Sequence, residues 1–386
     1  MCRRSGVLGH VALLFALGVA LLPPQAIASQ GAPPKGKAPK SAKSDSAKKS
    51  AKATSDTTPK VAKLPNSPLF RSQSLMEVTF TTNIKAIRKD KGDKAPWHAA
   101  TLSYADTNSQ SGKRVVPVRA RTRGIWRLKN CDFPPIRLNF VNKDAKGSVF
   151  HDLDEPKLVG YCKGMSNYEQ YILQEFQLYR IYRLLTPVSH QVRLLRMTYV
   201  DSATAKVEAT KYAFIVEDPA HVAAAVNGKI MKVLGATSDD LDGEQATLAY
   251  LFQYLIGNTD FSFGGLHNAE LVALPTGTNM PIAYDFDFAG AIDASYATPD
   301  TSLRITRVRD RQYRGFCQQN PLVPKVLQQF RDKKAAIYAL YSDQLGALMA
   351  PRTVKETLEY FDAFYATIAD PKDVERRILR DCRNPR

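Results

Sequence analysis

The stretch PIAYDFDFAG, residues 281–290, sets two carboxylates, Asp285 and Asp287, among aromatic and apolar neighbours and then releases the chain at Gly290. Just upstream, AELVAL (269–274) and MPIAYD (280–285) are short apolar runs separated by PTGTN, whose proline, glycine and asparagine turn a chain back on itself. A hairpin folded about Gly277 places Asn268, before its first strand, opposite Asp285, at the end of its second. Facing residues of an antiparallel pair lie roughly 4.5–5.5 Å apart. An amide oxygen and a carboxylate at that separation can share a hard cation such as Mg²⁺ or Mn²⁺, which keeps its other positions for water and phosphate. Asp287 is then a second ligand or a structural acceptor. Asp260, on the loop after an apolar helix, is placed to orient a hydroxyl and accept its proton. The plainer reading makes Asp285 and Asp287 turn caps, Asp260 a turn residue, and His267, beside Asn268, a local hydrogen-bonding side chain rather than a base.

Working outward, residues 67–219 carry strand signals. LMEVTFTTNI (75–84) alternates, RVVPVRARTRG (114–124) is rich in Val and Arg, and PIRLNFV (135–141) puts Ile136, Leu138 and Phe140 on one face. One helix is expected over MSNYEQYILQEFQLYRIYRLL, with Tyr168, Ile172, Glu175, Phe176, Tyr179 and Tyr182 on its buried face. Ser166 and Glu169 form its expected capping box, and Pro187 its stop. HQVRLLRMTYVD (190–201) and KYAFIVED (211–218) read as two more strands. Residues 220–386 turn helical: EQATLAYLFQYLIGN is apolar nearly all round and ends at Gly257-Asn258, and three amphipathic segments follow from Val323 onward. Glu175 shares a face with Ile172 and Phe176, and a buried acid requires a partner, whether a structural cation or a ligand-binding lysine. Arg121, Arg123 and Arg127 either line a phosphate pocket or form the solvated face of an edge strand.

The ends of the chain set its compartment. A short basic start, an apolar run from Val7 to Leu22 and small residues at Ala26 and Ala28 describe a signal peptide over residues 1–28, the alternative being an uncleaved anchor. After cleavage no integral membrane segment is expected. Residues 29–66, almost entirely Lys, Ala, Ser, Pro, Thr and Gly, cannot bury enough surface to order and are expected to form a linker. Residues 1–65 hold eleven Lys or Arg against two Asp, so +9 of the net +17 lies there. That distribution argues against a dedicated nucleic-acid binder and favours a linker that touches an anionic envelope polymer. Four cysteines remain, Cys131, Cys162, Cys317 and Cys382, and an even count in an exported chain suggests two disulfides. Three connectivities are possible. Cys131 with Cys162 and Cys317 with Cys382 are favoured because each pair stays within one half of the fold, free buried thiols being the alternative.

A long helix, a loop with an acidic residue, an Asn, a short hairpin and then D-F-D resembles the catalytic segment of protein-kinase-like folds, and most nearly the CotH kinase family of secreted atypical kinases. VRARTRGIWRLKNCDFPPIRLNF (118–140) looks like that family's strand, Arg-Gly turn and apolar strand, and YAFIVED (212–218) like its strand toward the hinge. The resemblance implies an α+β, two-lobed fold with a β-rich N-terminal lobe carrying one long helix and a mainly helical C-terminal lobe. It further implies Asp260 as catalytic aspartate, Asn268 and Asp285 as metal ligands, and ATP as phosphoryl donor. Lys157 ranks first, ahead of Lys129 and Lys232, as the nucleotide lysine, because it precedes the helix bearing Glu175 and a Lys–Glu pair is what such sites use. Arg123, at the Arg-Gly turn, joins Lys157 and Glu175 as a nucleotide-binding residue. The function expected is an exported, metal-dependent transfer of a phosphoryl group to a protein or small-molecule hydroxyl. No glycine-rich nucleotide loop is present in the sequence, which supports a second expectation, a non-catalytic envelope binding protein. A metal-dependent hydrolase is a third, without a histidine cluster to support it.

Overall fold

Alternation of apolar and polar residues builds the first element of the fold. In Met76–Thr82 (β1) the side chains of Val78, Phe80 and Thr82 turn inward, and in Lys113–Thr122 (β3) Val116, Val118, Ala120 and Thr122 do the same while Arg119 and Arg121 turn out. The computed structural model describes residues 67–90, 95–124 and 126–384, all within one compact unit. The expected signal peptide and the linker of residues 29–66 lie outside the described residues. With His98–Ala105 (β2), Ile136–Asn139 (β4), Lys157–Val159 (β5), Val192–Asp201 (β6) and Val207–Val216 (β7), these strands close into a barrel in the order β1-β2-β3-β4-β5-β7-β6. Every seam is antiparallel except the last, where β1 and β6 pair in parallel from Met76↔Leu195 to Thr82↔Asp201. Phe80, Leu102, Val118, Leu138, Leu158, Met197, Tyr199 and Ile215 belong to the core that fills it.

This closure corrects the fold expectation. The two-lobed kinase-like arrangement, with its β-rich N-terminal lobe, is not what forms, because the first strand hydrogen-bonds along its whole length to a strand more than a hundred residues later and leaves a closed, mixed barrel. Closure removes the free strand edges that an open sheet would have to protect.

Among the described residues, four helices punctuate the barrel sequence: Ile84–Lys89 (α1), Trp126–Asn130 (α2), Asn142–Ala145 (α3) and Ser166–Leu185 (α4). The whole expected face of α4 is buried, and Phe176 and Tyr179 meet Phe214 of β7 at ring-centroid distances of 5.9 and 5.6 Å. Fully burying each such side chain is worth about 1.5–3 kcal/mol. The capping box does not form. Met165 is the N-cap, and Glu169 instead binds Arg196 at 2.6 Å and accepts from the Tyr212 backbone N–H, which ties the start of α4 to β6 and β7.

Pro219–Ala225 (α5) leads to a small sheet of Lys229–Met231 (β8), Ala269–Ala273 (β9) and Asn279–Ala283 (β10), ordered β10-β9-β8. Gly243–Ile256 (α6) is buried nearly all round and ends at Gly257, whose φ of +66° is the left-handed conformation that closes a helix. Val323–Ala339 (α7), Pro351–Ala369 (α8) and Pro371–Val374 (α9) complete the helical part, where α7 is shorter than the amphipathic pattern suggested and is followed by a separate single turn, Gly346–Leu348. Disulfides join Cys131 to Cys162 and Cys317 to Cys382, the favoured pairing. Among the described residues no helix is long and apolar enough to cross a membrane.

Candidate functional site

Phe286 explains why two acids flank it. Its ring is fully buried against Tyr179, Tyr182 and Phe252, at centroid distances of 4.6, 6.2 and 5.2 Å, so the chain is pinned there while its neighbours turn the other way. The hairpin ends one residue short of the expected register: Ala269 faces Ala283, and the Tyr284 N–H donates to the Asn268 carbonyl at 3.1 Å, so Asn268 stands opposite Tyr284 rather than Asp285. Asn268 and Asp285 then both leave strand geometry, with φ of +48° and +61°. Left-handed backbone is tolerated by Asn and Asp better than by most residues, at a cost of order 1–2 kcal/mol. The Asp285 N–H is satisfied by the Tyr179 hydroxyl at 2.9 Å.

Sequence reasoning named Arg127 only for a phosphate pocket or the solvated face of an edge strand and missed that it organises the acids from a short helix. The Arg127 guanidinium, on α2, lies 2.6 Å from Asp287, 3.6 Å from Glu175 and 3.8 Å from Asp285. Asp287 also accepts from the Tyr296 hydroxyl at 3.1 Å. Glu175 is wholly buried, makes no hydrogen bond, and is pushed up to about 8 by burial, with Arg127 opposing and Asp287 and Asp285 reinforcing the shift. Burial also acts to raise Asp285, but Arg127, Arg123 and Lys157 outweigh it and hold this carboxyl below its usual value. Asp285 is thus the ionised, accessible acid of the three, with a third of its side chain exposed against 7% for Asp287.

The expected Lys157–Glu175 pair is corrected by the same geometry, since Arg127 reaches Glu175 first. Lys157 instead lies 3.9 Å from Glu270 of β9 and sits over the Tyr284 ring, 3.5 Å from its centroid. Burial lowers its ammonium to about 8, against the pull of Glu270. Behind it His190, buried and lowered to about 3 chiefly by burial, donates its Nδ1–H to the Glu217 carbonyl at 2.9 Å and turns Nε2 toward Glu270 at 3.8 Å. Arg123 follows β3 beside Asp285, bonds the Ile136 carbonyl at 3.3 Å, and has no carboxylate within 4.0 Å among the described residues.

Asp260 and Asn268 are brought together as a unit. The Asn268 amide donates to the Asp260 carbonyl at 2.8 Å and to its carboxylate at 2.9 Å, and His267 Nε2 meets the other carboxylate oxygen at 2.7 Å. Arg314 braces the loop through the Thr259 and Phe261 carbonyls. This unit joins the Asp285 region through the Asn268–Tyr284 backbone bond.

Asp285 and Asn268 each offer a hard oxygen of the kind Mg²⁺ or Mn²⁺ accepts, whereas Asp287, the other expected ligand, is engaged by Arg127. Among the described residues no three His, Cys, Asp or Glu side chains are arranged to hold a metal by themselves, so an ion here would draw part of its shell from water and ligand. No protein-family model matches the chain, and no match was found among curated proteins.

Proposed function

We propose that the protein is an exported phosphotransferase that moves a phosphoryl group from a nucleotide such as ATP to a hydroxyl, with Mg²⁺ or Mn²⁺ at Asp285. One observation carries the reading: an accessible, ionised carboxylate on a left-handed residue adjoins Arg123, a cation without a carboxylate of its own within 4.0 Å among the described residues, and Lys157. An acid beside a guanidinium that has no carboxylate partner suits a phosphate that arrives with a divalent ion. Bound through Asp285 and the Asn268 side chain, the ion would neutralise phosphate charge. Arg123 and Lys157 would hold the phosphate oxygens in place. The acceptor hydroxyl forms the new P–O bond as the bond to the departing nucleotide oxygen breaks, and its proton passes to the Asp260 carboxylate, which His267 and Asn268 fix in orientation.

The proposal keeps the chemistry that the CotH resemblance implied, without the fold. Export is supported by the two disulfides, which persist in oxidising compartments. Contact of residues 29–66 with an anionic envelope polymer belongs to the same proposal, on their charge alone. A second reading, a binding protein without turnover, is favoured by one observation: Arg127 already occupies Asp287, one of the two expected acids.

Thermal unfolding with and without ATP and Mg²⁺ separates the two, because a ligand that binds only the native chain raises its melting midpoint. Asp285→Asn is the control of choice, since Asn accepts the left-handed backbone that Ala resists. Stabilisation lost in that variant, together with transfer of labelled phosphate, supports the enzyme. No response to ATP at any concentration defeats it.

A further inference from the structure

The outer face of the barrel carries an arrangement that stability alone disfavours. On β3, β4 and β5 the pairing register sets Arg121 directly opposite Arg137, and Arg137 directly opposite Lys157. Like charges directly opposite one another destabilise a sheet. Strands are about 4.8 Å apart, so the three cations form a straight row roughly 10 Å long across the sheet. Arg119 precedes the row on β3 and Arg123 follows it. Counter-charge is sparse: Glu155 lies 3.6 Å from Arg137 and Glu270 3.9 Å from Lys157, and no carboxylate comes within 4.0 Å of Arg119, Arg121 or Arg123 among the described residues.

The row is also built rather than loose. The Arg119 and Arg121 guanidiniums lie over Trp97, 5.6 and 4.5 Å from the ring centre, and Arg119 donates twice to Asn139, at 2.9 and 2.5 Å, whose own amide is held by Glu155. Arginines held by an aromatic platform and an amide keep their remaining N–H groups fixed for a ligand.

We infer that this row is the binding track for a linear phosphate chain, lying across the strands with one end at Lys157 and the other at Arg121. The inference deepens the phosphotransferase reading by giving the length of phosphate chain that the donor side accepts. It rests on that reading only for which end points at Asp285.

The test uses the full chain without metal or acceptor, so that its outcome is independent of turnover. Inorganic tripolyphosphate is expected to raise the melting midpoint several-fold more than orthophosphate at equal concentration. Arg137→Gln, which removes the cation with like charge on both sides, is expected to raise the ligand-free midpoint and to cut the tripolyphosphate shift by at least half, while Arg137→Lys restores most of that shift. An ATP shift equal to that of tripolyphosphate assigns the track to a nucleotide's phosphates, and a response to tripolyphosphate alone assigns it to free polyphosphate; either supports the track. Equal shifts with orthophosphate, an equal shift with a sulfated polysaccharide, or an unchanged shift in Arg137→Gln overturns it. Loss of phosphate transfer with this pattern intact would sink the enzyme reading and leave the track standing.

Discussion

Glu175 couples the site to the pH dependence of stability. Its folded pKa near 8 lies above the ordinary 4.5, because burial outweighs the attraction of Arg127. Between those values the folded chain keeps a proton that the unfolded chain has released, so stability falls as pH rises from about 5 to about 8. Glu175→Gln supplies the neutral form permanently, and urea unfolding at a series of pH values should show a flatter dependence across that window than the wild type. Identical slopes would mean that Arg127 keeps Glu175 ionised. Glu175 and Asp285 stood out in the sequence through their spacing. Arg127 as their shared partner did not, because the turn at Arg123-Gly124 and the short helix after it, which aim its guanidinium inward, leave no periodic signal.

At the scale of elements, α2 matters most, because this five-residue helix has too little local stability to hold Arg127 against three acids by itself. The Cys131–Cys162 bridge follows it immediately and closes a separation of 31 residues. Replacing both cysteines with serine should cost about 4 kcal/mol by loop entropy, read as a lower denaturation midpoint. A loss near zero would show that the barrel holds α2 without the bridge. Long amphipathic elements were legible: the buried face of α4 and the glycine end of α6 follow from periodicity and a left-handed cap. The hairpin was legible in kind but not in register, because both strands are buried on both faces, so a slip of one residue exposes no apolar side and leaves no mark in the pattern. Glu169 was misread as a cap because its partners, Arg196 and the Tyr212 N–H, come from strands that the local sequence does not show.

At the scale of the whole molecule, the parallel β1–β6 seam decides the architecture, and nothing in the alternation of LMEVTFTTNI distinguishes a strand in a closed barrel from one at an open edge. Phe80, wholly buried on β1 and meeting Tyr199 of β6 ring to edge at 6.0 Å, holds that seam from inside. Phe80→Ala should cost about 3–5 kcal/mol, and in the wild type amide exchange should be as slow in β1 as in the antiparallel strands. Rapid exchange confined to β1 would contradict closure. In the proposed function the barrel contributes Lys157 on β5 and, just after β3, Arg123, both of which act on Asp285, while the pairing of β3, β4 and β5 sets Arg121 and Arg137 in a row with Lys157. The most direct measurement of the central claim is calorimetric titration of ATP into the wild type and into Asp285→Asn, each with and without Mg²⁺. The account predicts binding to the wild type that weakens at least tenfold when Mg²⁺ is withdrawn, and binding to the variant that Mg²⁺ no longer improves. ATP binding that is absent, or that responds to Mg²⁺ equally in both proteins, would contradict it.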